Sequence, residues 1–349
     1  MKGGWLLGRT KYNPNLDLIR TVAVLAVIGV HFFLNSKFYD ALIDSWQMVL
    51  MTGLRTALMI CVPLFMLLTG YLMRGKTWSD QYYLKVLPTV FTYLQVSVVI
   101  FLFRKYYLAE KLTLQDGLLG VLDYSLAPYA WYVEMYFGLF LLIPFLNAIW
   151  QFYDQKFQRQ LITATLALLC ILPTLFNSFN KLLPDFWQGL YPLAYYFAGA
   201  YLAEYQADLR ELPVAWPMTA VLVINWLVNL NHSYGQIFKW ADFNDYFSYQ
   251  QYFLGILVFM ALLRCQLPPW LIRVSHFIAQ YALAIYLLSF VFDQIFYPVL
   301  KRLVPQVNQE LYYFPILVIS VFGATVSLAW LMTQFFSIMR RFLHKLWSH

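Results

Sequence analysis

The chain has 349 residues, of which 61% are hydrophobic and only 12% charged, whereas soluble domains carry about 25% charged residues. That composition excludes a soluble fold, and no segment is polar enough to form a separate soluble domain. The net charge of +7 would suggest nucleic acid in a soluble protein, but here Lys and Arg sit mostly in short loops between apolar runs, which is a topology signal.

At the N-terminus, Lys2, Arg9 and Lys11 precede the first apolar run in the manner of a signal peptide. The bulky "VHFFLNSKF" follows where a cleavage site would need small residues, so the run reads as a retained first span. Ten spans are expected, over residues 16–35, 49–73, 84–103, 129–150, 159–177, 188–205, 213–230, 249–264, 276–300 and 311–337. Residues 117–128 are too short to cross and are assigned to the interface. The expected fold is therefore an all-α polytopic membrane protein, a single domain over residues 1–349 built as a bundle of about ten transmembrane helices.

An even number of spans puts both termini on one side. That side collects 14 of the 24 Lys and Arg residues against 8 on the other, with Arg20 and Arg55 inside spans. The excess assigns both termini to the cytoplasm, in a plasma or inner membrane. Membrane lipids are the expected surroundings, and no nucleic-acid partner is expected. The 12 Trp and 27 Tyr residues cluster near span ends, as aromatic belts do. Cys61, Cys170 and Cys265 share no metal-ligand spacing and read as packing residues, and no metal is expected.

The ionisable residues inside spans carry the functional signal, because such residues usually face a cavity or a partner. In "LDLIRTVAVLAVIGVHFF", residues 16–33, the spacing of Arg20 and His31 is about 20° past three full helical turns. The two share one helix face and lie about 16 Å apart along the axis. Arg20 alone can snorkel to the headgroups, but His31 on the same face points to a shared internal path. Asp17, three residues before Arg20, is placed to orient it.

Glu134, one turn into the fourth span, costs about 2 to 3 kcal/mol unless paired or wet. Basic partners or water are expected beside it, in a structural ion pair or as a catalytic or substrate-binding carboxylate. Lys85 anchors the third span, and Arg55 is expected to snorkel outward or to meet a carboxylate such as Asp293. Ser289 and Asp293 share a face of the ninth span. Ser289 reads as bonded to its own backbone, since no histidine stands at nearby helical spacing to activate it.

Four collinear stretches resemble the acyltransferase 3 family of membrane proteins. The first is the arginine, ten residues, then histidine of Arg20 and His31, preceded by Leu16 and Asp17. "VPLFMLLTGYLM", residues 62–73, is similar to a second-span motif of that family, with Thr69 where serine is common. "YYLKVLPTVFTYL", residues 82–94, and "WYVEMYFGLFLLIP", residues 131–144, follow in the family's order. One departure is "IYLLS", where many members have a histidine at the position of Ser289. The chain is read as the stand-alone form, without an appended extracytoplasmic domain.

The resemblance implies transfer of an acyl group, usually acetyl, from cytoplasmic acetyl-CoA to a hydroxyl of an extracytoplasmic or lipid-linked glycan. In that reading Arg20, with Asp17 and Lys85, holds the CoA phosphates. His31 serves as base or nucleophile, and Glu134 tunes it or binds the acceptor. Thr69, Tyr71 and Trp131 are the candidate substrate contacts on the matching motifs. A transporter or flippase of the same glycan is the alternative. It would predict internal repeats, and the halves 1–174 and 175–349 show none. A sensor or structural protein ranks last, since it leaves the intramembrane charges unexplained.

Overall fold

The computed structural model describes residues 12–178 and 180–347; Lys2, Arg9 and Lys11, counted above for topology, lie outside them. The described residues form helices and isolated bridges, with no β-strand, as an all-α membrane protein requires when backbone groups must be satisfied within each segment. The elements that position the site are α1 (Pro14–Asn35), α2 (Trp46–Leu58), α3 (Cys61–Met73), α4 (Leu87–Leu102), α5 (Leu114–Leu122), α6 (Trp131–Phe152) and α7 (Lys156–Cys170). They are followed by α8 (Tyr191–Glu204), α9 (Ala215–Ser233), α10 (Tyr249–Arg264), α11 (Pro269–Gln280), α12 (Ala282–Leu303) and α13 (Phe314–Trp347).

Among the described residues, seven segments are long and apolar enough to cross a membrane: Pro14–Asn35, Trp46–Met73, Asp80–Tyr107, Trp131–Phe152, Asp242–Arg264, Ala282–Leu303 and Val307–Met339. The other three expected spans are also helical. However, α7 and α8 have only 15 and 14 residues, short of the roughly 20 a crossing needs. The third, α9, is diluted by buried Asn225 and Asn229. Expected spans are also interrupted, the fifth at Ile171 and Leu172. The second breaks at Met59 and Ile60 because Pro63 has no N–H to offer the Met59 carbonyl. The ninth does not start at 276; that position lies in α11, and α12 begins only after a break at Tyr281.

Helix α1 is the hub. Asn13 caps it, its side chain accepting from the Asn15 amide, and Pro14 supplies a preset φ at the first turn. Its apolar run is buried almost throughout, and it packs against α2, α3, α10, α11, α12 and α13. The first span is thus what the core is built around.

Helices α3 and α8 make the closest crossing. A Cβ on Gly70 would stand 2.0 Å from the Tyr196 carbonyl oxygen, and one on Gly199 would stand 2.1 Å from that of Leu67. Only small residues permit such backbone approach between membrane helices. Gly70→Ala is expected to destabilise the protein by about 1 to 3 kcal/mol, read as a lower melting temperature in detergent. Gly75→Ala, whose Cβ would meet nothing within 4 Å, serves as the control.

Buried amides join α2, α9 and α10. Asn229 donates to Thr56 Oγ1 at 2.9 Å and to Gln250 Oε1 at 3.1 Å, and it accepts from Asn244 at 3.2 Å. These bonds satisfy polar groups that could not face lipid. Arg55 ends this network, which corrects its expected placement: it neither snorkels nor meets Asp293. Its fully buried guanidinium donates to the Asn244 carbonyl at 2.8 Å and to the Tyr39 hydroxyl at 3.2 Å. It also lies 4.7 Å from the Phe238 ring centre and 4.9 Å from that of Trp240. A delocalised, weakly hydrated cation can be held by carbonyls and π faces without a carboxylate.

Candidate active site

A cavity of about 390 Å³ opens at the N-terminal end of α1, within the usual range for small-molecule sites. Arg20 stands at one end, and Val27, two turns further along the same face, lines its course. Helix α3 contributes Thr69, α4 contributes Thr92, and Tyr132 and Tyr286 close the deep end. The expected path along the shared face of Arg20 and His31 is therefore present in part. It stops one aromatic layer short of His31, whose ring centre is 6.5 Å from that of Tyr286.

His31 is almost fully buried and held from α12 and from the loop before α6. Asp293 Oδ2 lies 3.7 Å from its Nδ1 and Ser289 Oγ 3.4 Å from the same nitrogen. Tyr129 stacks on the imidazole, ring centres 3.7 Å apart, and its hydroxyl donates to Asp293 Oδ2 at 2.9 Å. Asn35 fixes the turn by donating to the His31 carbonyl at 2.8 Å, and the Tyr286 hydroxyl donates to the Tyr129 carbonyl. Histidine, carboxylate and phenol thus lock each other in one orientation.

Asp293 and Tyr129 are the site residues that sequence reasoning missed in this role. The signal for Asp293 was its spacing of four from Ser289, which put both on one face. The partner histidine came from another helix, 262 residues earlier in the chain, so helical spacing on α12 alone could not find it. Ser289 does bond its own backbone, donating to the Tyr286 carbonyl at 2.8 Å. It also touches His31, a histidine that α1 supplies and that helical spacing on α12 does not reveal.

At the mouth, Arg20 Nη1 pairs with Asp17 Oδ1 at 3.0 Å, as its spacing led one to expect. Lys85 is exposed and does not line the cavity, although it lies one turn before Thr89, which does. Thr69 lines the cavity while its hydroxyl donates to the Phe65 carbonyl at 2.8 Å. Tyr71 does not line the cavity, and its hydroxyl donates to Gln206 at 2.9 Å. Trp131 stacks on Tyr246, ring centres 5.5 Å apart, and stays partly open. Glu134 is exposed on a face of α6 that the cavity does not use, and among the described residues it has no ion-pair partner. The structure thus brings Arg20 and Thr69 to the cavity, Asp17 beside Arg20 and His31 behind the cavity's end, and leaves Lys85, Tyr71, Trp131 and Glu134 around it.

A family model for an acyltransferase domain, that of acyltransferase family 3, matches residues 13–333. The chain belongs to that family. No curated protein and no solved structure matches it. For a membrane O-acyltransferase, the His31 cluster has a plain chemical meaning. A carboxylate 3.7 Å from Nδ1 favours a proton on that nitrogen through its charge, which leaves Nε2 as the basic nitrogen, and the same charge steadies the imidazolium once Nε2 takes a proton. Ser289 in this acyltransferase is not placed as a nucleophile. It shares the Nδ1 side with Asp293, and its own proton is committed to the Tyr286 carbonyl, whereas a serine nucleophile needs to give its proton to the base.

Proposed function

We propose that the protein moves an acetyl group from acetyl-CoA, entering from the cytoplasmic side, to a hydroxyl of an extracytoplasmic or lipid-linked glycan. The membrane is the plasma or inner membrane, with both termini cytoplasmic. The observation that carries this reading is the cavity that leads from Arg20 to the aromatic layer over the His31–Asp293 pair. An extended pantetheine arm is of the same order of length as the roughly 16 Å between the two α1 residues.

Arg20 binds phosphate, since a guanidinium offers paired N–H donors to phosphate oxygens. The thioester passes the Tyr286 ring to reach Nε2 of His31. That nitrogen takes the proton of the acceptor hydroxyl as its oxygen bonds to the thioester carbonyl carbon. When the tetrahedral adduct collapses, the C–S bond breaks and the same proton goes to the departing sulfur, leaving free CoA thiol and the ester. Asp293 balances the charge on His31 between the two transfers.

The deciding experiment uses purified protein in detergent, with acetyl-labelled CoA and a cell-envelope glycan fraction. Acceptor-dependent release of CoA thiol together with label in the glycan is expected. In vesicles reconstituted with the same protein, passage of the glycan across the membrane without thiol release would overturn the reading in favour of transport. Arg20→Ala is expected to weaken acetyl-CoA binding by about tenfold or more, since a bond to a charged group contributes about 1.5 to 3 kcal/mol. Unchanged affinity in a direct titration would remove the phosphate role.

A further inference from the structure

Three donors converge on one buried carboxylate at the mouth of the cavity. Asp17 Oδ2 accepts from the Tyr12 hydroxyl at 2.7 Å and from His276 Nδ1 at 2.9 Å, while Oδ1 accepts from Arg20 Nη1 at 3.0 Å. His276 comes from α11, which is packed along α1. That packing is itself tied by Thr21, whose hydroxyl donates to the Asp17 carbonyl at 2.9 Å and reaches the Ser275 carbonyl at 3.3 Å. Neither Tyr12 nor His276 lines the cavity.

An arginine beside a carboxylate normally closes on it as a fork, two N–H groups on two oxygens. Here the second oxygen is already taken twice, so the pair stays single. Among the described residues Arg20 has no other side-chain partner, and its remaining N–H donors stay free in the cavity. We infer that Tyr12 and His276 are positioning residues for donor binding: by occupying Asp17 Oδ2 they keep Arg20 from folding onto Asp17 and leave it available to a phosphate group.

This inference rests on the reading of Arg20 as a phosphate ligand. Removing His276 frees one lone pair of Oδ2 and lets the guanidinium turn toward it, so Arg20 becomes partly neutralised and withdrawn. The effect must then concern the phosphates of the donor and not its thioester.

The test compares acetyl-CoA with acetyl-pantetheine, which carries the same thioester and no phosphate, on the full-length protein in detergent. For His276→Ala the expected result is a rise of about fivefold to tenfold in the KM for acetyl-CoA, with kcat unchanged. The KM for acetyl-pantetheine is unchanged too. Tyr12→Phe shifts acetyl-CoA in the same direction. His276→Asn, whose amide nitrogen can stand where Nδ1 stands and donate to Asp17, restores the affinity. Equal losses with both donors would show a general disturbance of α11 and overturn the inference. So would normal acetyl-CoA affinity in His276→Ala when Arg20→Ala has lost it, with the donor reading intact. Normal affinity in Arg20→Ala itself would instead overturn that donor reading and this inference with it.

Discussion

His31→Ala is expected to lower the turnover of acyl transfer by about a thousandfold, the middle of the range for loss of a positioned general base. Acetyl-CoA binding should persist, because the cavity proposed for the donor is lined by Arg20, Thr69 and Tyr132 and not by His31. The measurement is kcat for CoA release beside a direct binding titration. His31→Ala also leaves Tyr129 without its stacking partner and Asp293 without its nearest nitrogen. A His31→Gln variant, which keeps most of the volume and a polar end, guards against a folding defect. Turnover within a few-fold of wild type in a folded variant would mean that His31 is not the base.

The helical character of the chain was legible because the membrane leaves few alternatives: a long apolar run must be a helix or part of a closed barrel. Arg20, Asp17 and the first span were legible for the same reason, since their spacing is local to one helix. What could not be read was anything decided between helices. Arg55 looked like a surface anchor until three aromatic side chains and a carbonyl from distant loops closed around it. Asp293 was one carboxylate that arginine was expected to meet if it did not snorkel, and it faces His31 instead. Both choices kept a carboxylate paired with a basic group, and sequence spacing has no means to choose between partners on different helices. Glu134 is of another kind: its position one turn into a span pointed to a basic partner or water beside it, and α6 turns it to an exposed face. The Tyr286 layer that ends the cavity is likewise a packing outcome.

Asp293→Asn should lower kcat by about a hundredfold and leave acetyl-CoA affinity as it is. The substitution removes the charge and keeps the shape, so the Tyr129 hydroxyl can still donate to the side-chain oxygen that replaces Oδ2. What is lost is the negative charge that favours a proton at Nδ1 and stabilises the imidazolium. In a serine-protease triad the same exchange costs about 10⁴-fold, and a smaller loss is expected here for two geometric reasons. The Nδ1 to Oδ2 separation is 3.7 Å, longer than a hydrogen bond, so the carboxylate acts through its charge more than through a held proton. Ser289 Oγ, at 3.4 Å from the same nitrogen, offers a second acceptor that can keep the tautomer when the carboxylate is gone. Asp293→Ala should be worse than Asp293→Asn, because it also strands the Tyr129 hydroxyl in a buried site, where an unmet polar group costs about 1 to 3 kcal/mol. Steady-state kcat and melting temperature, measured together on the two variants, separate charge from packing. Equal kcat for Asp293→Asn and wild type would mean that the charge plays no part and that Asp293 only positions Tyr129.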